Sequence, residues 1–135
     1  NMEMIYDTFK HAKTHLHYHI IFSTKYRKDC LNPIRDIVFR VMNDIANHSR
    51  FRILKMGIDG DHIHLLVKGE PNFAPYQIVR RLKQVSTRRI WKECEEHLKK
   101  YYWGDKKVLW THGYFCGGVG EISEDKVLEY IEKQG

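Results

Sequence analysis

At 135 residues, with 42% apolar and 30% charged residues, the chain has the size and composition of one soluble globular domain and is too short for two. A net charge of +6 favours an anionic partner, and nucleic acid is the commonest partner of that kind. No apolar run is long enough to span a membrane and no signal peptide opens the chain, so we expect a cytoplasmic protein without a membrane partner.

The first half of the chain contains three predicted strands and one predicted helix. Leu16–Ser23 is rich in β-branched and aromatic residues, which indicates a strand. From Pro33, apolar residues recur at helical spacing behind Asn32, which predicts a helix with Asn32 as its N-cap. Residues 51–69 then contain two strand-like runs around Asp59-Gly60, a dipeptide that tolerates the positive φ of a tight turn. These two strands are therefore predicted to form an antiparallel hairpin.

The second half repeats the pattern and adds a short final helix. Helical spacing predicts a second helix from Tyr76 to about Glu96, and Val108–Cys116 supplies a fourth strand. Three glycines within residues 117–120 favour a pliable joint. Ser123 is a good N-cap for a last helix that runs to about Gln134.

The order βαββαβ predicts an α+β, ferredoxin-like sandwich of the kind found in RNA-recognition modules. One antiparallel sheet would carry two helices on one face, with the first and third strands as central neighbours. The other face would be open for a ligand. We expect a single domain over residues 1–135, in which residues 116–135 form the glycine-rich joint and a mobile C-terminal helix.

Two histidines in "DHIHLLV" are candidate metal ligands. Because side chains alternate along a strand, His62 and His64 should project to one face and could share a divalent ion. The pattern alone is weak, since nine histidines produce H-x-H by chance in roughly every other such sequence. Its place in a central strand after a turn strengthens it. A rival set, His15, His17 and His19, shares one face of the first strand, and we interpret it as a solvated strand start.

A divalent ion needs more than two histidines, and the last predicted helix offers another ligand. Tyr130 and Gln134 are four residues apart, so a phenol and an amide oxygen would share one helix face. The alternative is that Tyr130 packs with Val127 and Ile131 as part of the core.

Basic residues concentrate in the second predicted helix, which contains no acidic residue between Tyr76 and Lys92. Solvated helices usually mix charges of both signs, so we favour a surface that binds phosphates. Basic residues after the first strand would extend it. The predicted DNA-binding residues are Lys25, Arg27, Lys28, Arg80, Arg81, Lys83, Arg88 and Arg89.

Four stretches, "YHIIFSTKYRK", "DHIHLLV", "LWTHGYFCGGVG" and "VLEYIEKQ", together resemble the single-tyrosine HUH transposases of the insertion sequence 200/605 family. The resemblance implies that His62 and His64 bind a divalent ion, Mg²⁺ or Mn²⁺, and that Gln134 completes the metal site. It also implies that Tyr130, on the mobile helix, is the catalytic nucleophile. The partners it implies are single-stranded DNA with hairpins and a second subunit, with active sites shared across a homodimer.

The implied enzyme cuts and rejoins single-stranded DNA by metal-assisted transesterification through a 5′-phosphotyrosine. The main alternative is a binding module without catalysis that stacks bases on Tyr18 and Phe22. A rolling-circle HUH endonuclease would use the same chemistry but usually carries further domains. A small metal-dependent hydrolase would not explain the pairing of Tyr130 with Gln134.

Overall fold

A four-stranded antiparallel sheet forms the centre of the protein. The computed structural model describes residues 16–118, so His15, Tyr130, Gln134 and the predicted last helix lie outside the described residues. The strands are arranged in the order β2-β3-β1-β4. This confirms the ferredoxin-like prediction, including the central pairing of the first and third strands. The strand bounds are β1 Leu16–Ser23, β2 Phe51–Asp59, β3 His62–Gly69 and β4 Phe115–Gly118.

Two helices cover one face of the sheet, α1 Arg35–Asn47 and α2 Pro75–Leu98. Alternate residues of the central strands, such as Ile20 and Leu65, are fully buried in one apolar cluster. Val41 of α1 and Leu82 of α2 belong to the same cluster. The period of two in the strands and the helical period in α1 and α2 therefore meet in a single core. No helix within residues 16–118 is long and apolar enough to cross a membrane.

The predicted N-cap of the first helix is wrong. Asn32 lies in a short 3-10 turn, Asn32–Ile34, and α1 begins at Arg35. The Asn32 side-chain oxygen instead accepts a hydrogen bond from the Gly60 backbone N–H at 3.2 Å. Asn32 thus joins the helix start to the β2–β3 turn, where Gly60 has the positive φ of 63° that the sequence led us to expect.

The predicted fourth strand also begins too early. Residues 108–110 are an irregular segment, apart from an isolated bridge between Trp110 and Thr24, and β4 begins only at Phe115. Leu109 and Trp110 are buried without being in a strand, which explains the apolar pattern. Their segment is held by individual hydrogen bonds, including one from the Trp91 indole to the Val108 carbonyl at 2.8 Å.

Candidate functional site

His62 and His64 lie side by side on the face of the sheet opposite the helices. His62 pairs with Ser23 and His64 with Ile21 across the β1–β3 ladder. Between them, Ile63 is buried in the helix-side core. The two imidazole ring centroids are 4.7 Å apart, with the ring planes at 65°. This separation is short enough for the two rings to contact one cation.

Asp61 fixes the orientation of the His62 ring. The His62 Nδ1 and Asp61 Oδ1 atoms are 2.7 Å apart, and the second Asp61 oxygen accepts a hydrogen bond from Arg27 Nε at 2.9 Å. The hydrogen bond from Arg27, followed by the one from His62, lowers the pKa of Asp61. An ionised carboxylate can only accept, so His62 Nδ1 carries the proton and Nε2 keeps its lone pair. Metal-binding histidines are commonly held by a carboxylate in this way.

His64 is a buried polar side chain, only 3% exposed. In the part of the chain that the structure describes, neither of its ring nitrogens has a hydrogen-bond partner. Burial lowers the pKa of His64, and the neighbouring His62 and His19 lower it further, so the ring is neutral near pH 7. Burying a polar group without a partner costs about 1–3 kcal/mol. A neutral imidazole is also the form that binds metals, so a divalent ion fits this unsatisfied group.

The described residues do not complete a metal site by themselves. Within residues 16–118, no group of three histidine, cysteine, aspartate or glutamate side chains is arranged to hold a metal ion. His62 and His64 would therefore need a ligand of another type or from another segment. Gln134, the predicted third ligand, lies outside the described residues.

The rival histidine set is not a solvated strand start at every position. His17 is half-buried, but His19 is only 5% exposed. The His19 ring stacks on His64 with centroids 6.3 Å apart, and the edge of Phe115 packs against it at 5.8 Å. The solvated interpretation is wrong for His19 because β1 is a central strand, covered by its neighbours on both sides.

The aromatic residues required by the binding-only alternative face the helices. Phe22 is 2% exposed and packs edge-on against Trp110, with ring centroids 4.8 Å apart. Tyr18 is partly buried against the same core. Neither ring lies on the open face, so the assignment of these two residues to base stacking is wrong.

The predicted DNA-binding residues of α2 lie on the helix side of the sheet, and several are occupied by contacts within the protein. Arg81 contacts the Ser49 hydroxyl and the His48 carbonyl. Arg89 pairs with Asp44 at 2.9 Å. Arg80 and Arg88 are exposed and have no ion pair or side-chain hydrogen bond to any residue between 16 and 118.

Lys83 holds the loop that precedes β4. Its ammonium donates to the carbonyls of Thr111, His112 and Gly113 at 2.7, 3.0 and 2.9 Å. Burial lowers the pKa of Lys83. Three carbonyl acceptors leave this ammonium little capacity for a phosphate.

The three basic residues after β1 have different surroundings. Arg27 holds Asp61, whereas the ammonium groups of Lys25 and Lys28 lie over the rings of Tyr26 and Trp103 at 5.6 and 5.7 Å. The sequence analysis missed the role of Asp61. Its position immediately before the first histidine of the pair was the available signal.

Comparisons with known proteins agree with this site. The family model of IS200-like transposases matches residues 12–134. The ISDra2 transposase TnpA of Deinococcus radiodurans is 32% identical over 120 residues, which are 88% of this chain and 84% of that protein. A crystal structure of a Deinococcus radiodurans protein assigned as a transposase matches with a TM-score of 0.69 and 31% identity, covering 89% of this chain and 91% of that chain.

A more distant structure has the same fold. A REP-associated tyrosine transposase bound to a REP hairpin matches with a TM-score of 0.59 and 11% identity, over 84% of this chain and 61% of that chain. The family match covers nearly the whole chain, and the curated relative covers most of it. This chain therefore belongs to the family of IS200-like transposases.

Proposed function

We propose that this transposase cuts and rejoins single-stranded DNA by metal-assisted transesterification, with Tyr130 as nucleophile. The observation that carries the proposal is the pair of histidines on the open face. His62 is oriented by Asp61, and His64 is buried with no hydrogen-bond partner for either nitrogen within residues 16–118. Such a pair is costly unless a ligand occupies it.

His62, His64 and Gln134 would hold a divalent ion, Mg²⁺ or Mn²⁺. Imidazole nitrogens suit Mn²⁺, whereas the oxygens of an amide, a phosphate and water suit Mg²⁺. When bound, the ion supplies polarisation of the phosphodiester and offsets the negative charge that develops on it.

The protein side chains then have distinct tasks. Arg27 and Asp61 hold the His62 ring in one tautomer and one orientation. The Tyr130 oxygen attacks phosphorus and forms a 5′-phosphotyrosine, while the bond to the 3′-oxygen breaks and releases a 3′-hydroxyl. One phosphate ester replaces another, so a 3′-hydroxyl from another strand can reverse the step and rejoin the DNA without ATP.

The two sides of the sheet suggest two DNA contacts. A transposase of the same fold is bound to a REP hairpin. We extend hairpin binding to this chain and place it on the helix side, where Arg80 and Arg88 are exposed and available for phosphates. The single strand that continues from the hairpin would reach the histidines on the other side.

Detection of a covalent adduct tests the chemistry. After incubation with single-stranded DNA and Mg²⁺, we expect a denaturant-resistant protein–DNA adduct whose modified residue, by mass spectrometry, is Tyr130. The Tyr130→Phe variant removes only the hydroxyl, so it should still bind DNA but form no adduct. An adduct on a different tyrosine would refute the assignment.

We further propose that the active sites are shared across a homodimer, with Tyr130 of one subunit acting beside His62 and His64 of the other. Mixing His64→Ala protein with Tyr130→Phe protein, after subunit exchange, should restore cleavage although each parent is inactive. Each mixed dimer would contain one doubly damaged site and one intact site. No recovery, with exchange confirmed by a tagged subunit, would contradict sharing and favour a site within one chain.

A further inference from the structure

An exposed aromatic groove lies next to the histidine pair, between the turn at residues 24–28 and the segment at residues 101–108. We call it the Trp103 groove. It has a volume of about 550 Å³. Trp103 and Tyr26 line it and are 79% and 72% exposed, which makes them the most exposed large hydrophobic side chains within residues 16–118. Two such rings in one concavity present flat apolar surface that the fold itself does not use.

The groove is also positively charged. Lys25, Lys28 and Lys106 line it, against a single acidic residue, Asp105. The Lys25 ammonium lies 5.6 Å from the Tyr26 ring centroid, and the Lys28 ammonium 5.7 Å from that of Trp103. A ligand that fits must combine a flat aromatic group with negative charge, and a nucleotide has both.

Hydrogen bonds hold the walls of the groove in place. The buried Tyr102 donates from its hydroxyl to the Lys25 carbonyl at 2.9 Å, and the Thr24 hydroxyl donates to the Lys28 carbonyl at 2.8 Å. Tyr26 and Arg27 have φ of 61° and 53°, a left-handed conformation that residues other than glycine rarely adopt. The surrounding bonds enforce it, so the Tyr26 ring is presented to solvent before any ligand arrives.

The same turn connects the groove to the histidines. Arg27, which follows Tyr26, bonds Asp61 at 2.9 Å, and Asp61 bonds His62 at 2.7 Å. The Thr24 backbone N–H also donates to the Asp61 carbonyl at 2.8 Å. A strand that reaches the histidine pair therefore passes near a preformed aromatic surface.

We propose that the Trp103 groove binds an unpaired nucleotide of the single-stranded DNA, with its base stacked on Trp103 or Tyr26 and its phosphates beside Lys25 and Lys28. The identity of the strand rests on the proposed function. Anionic membranes also attract tryptophan and lysine, but the link from the groove through Arg27 and Asp61 to the histidines favours DNA.

The protein carries its own probe for this site. Trp103 is exposed, whereas Trp91 and Trp110 are 4% and 8% exposed, so a ligand that stacks on a tryptophan at the surface should quench Trp103. A thymidine oligonucleotide of about 12 nucleotides is titrated in EDTA, which prevents cleavage. We expect quenching by this single strand and much less by a duplex, whose bases are already stacked.

Variants separate stacking from general attraction. Trp103→Leu removes the ring but keeps an apolar side chain, and should weaken binding of the oligonucleotide about 5- to 150-fold. Trp103→Phe keeps a ring and should restore most of the affinity. Lys28→Ala should weaken binding more than Lys99→Ala, which removes the same charge outside the groove. Because Trp103 is exposed, all variants at this position should unfold at the wild-type temperature.

Several results would overturn the proposal. Wild-type affinity in Trp103→Leu would do so, as would quenching by anionic phospholipid vesicles without quenching by the oligonucleotide. Loss of self-association in Trp103→Leu, with DNA binding intact, would instead assign the groove to a second copy of the chain. The adduct assay with Mg²⁺ is independent: an adduct without quenching rejects only the groove, and quenching without an adduct rejects only the proposed chemistry.

Discussion

The two faces of the sheet make opposite demands on neighbouring residues of one strand. On the helix side, Ile63 and Leu65 are fully buried in the apolar cluster. On the other side, His64 is almost equally buried, but its ring nitrogens have no partner within the described residues. Burial of the first kind stabilises the fold, whereas burial of the second kind costs stability. The comparison teaches that fold stability explains one face and that the other face needs a ligand to explain it.

Changing His64 to Leu tests the open face and should have the largest effect. An apolar side chain of similar size removes the unsatisfied nitrogens, so the free energy of unfolding should stay the same or rise. Cleavage of single-stranded DNA should fall by more than about 100-fold, because a metal ligand is lost. Unfolding in denaturant and a cleavage assay measure the two quantities. A stable variant with normal cleavage would contradict the assignment of this ring.

Changing Leu65 to Ala is the matched test of the covered face. We expect a loss of about 2–5 kcal/mol in the free energy of unfolding, because a fully buried side chain leaves a cavity. Cleavage per folded molecule should change little. If instead cleavage failed in protein that remained folded, the two faces would not be separable.

Changing Asp61 to Asn sharpens the account of the open face. The amide removes the negative charge that pairs with Arg27 and weakens the hold on the His62 ring. Metal affinity should fall about 10- to 100-fold. Asp59→Asn is the control, since Asp59 is an exposed carboxylate at the same hairpin that has no side-chain hydrogen bond to any residue between 16 and 118. Equal effects of both changes would indicate general electrostatics rather than orientation of one ring.

The smallest expected effect concerns the basic residues of α2. Arg80→Ala should lower the salt dependence of DNA binding, by about 0.7 in slope for each phosphate contact on a single strand. Arg89→Ala should change the slope less, because Arg89 already pairs with Asp44. Binding titrations across a range of salt concentrations measure both. Identical slopes in wild type and Arg80→Ala would leave α2 as an ordinary solvated surface.

The periodic elements could be predicted from the sequence because their patterns are local. The bounds of β1 match the prediction, and the Asp59-Gly60 turn forms the predicted hairpin. The start of β4 could not be predicted, because residues 108–110 are buried as an irregular segment that looks apolar in the same way as a strand. Burial alone produces that pattern, whatever the backbone conformation.

The candidate site was predictable only in part. Alternation along β3 correctly placed His62 and His64 on one face. The pairing of Arg27 with Asp61 joins residues 34 positions apart, and no local pattern reports such a contact. Likewise, the three carbonyls that occupy Lys83 come from a distant loop. Charge composition therefore overestimates how many cations are available for DNA.

A titration with Mn²⁺ tests most directly whether the open face holds a divalent ion. All proteins carry Tyr130→Phe and are mixed with a single-stranded oligonucleotide, so that DNA is present but not cut. The loss of the electron paramagnetic resonance signal of free Mn²⁺ reports binding. We predict saturable binding to the parent and to its His17→Ala derivative, which alters only the rival histidine set, and none to the His64→Leu derivative. Unchanged binding in His64→Leu, or loss of binding in His17→Ala, would contradict the account.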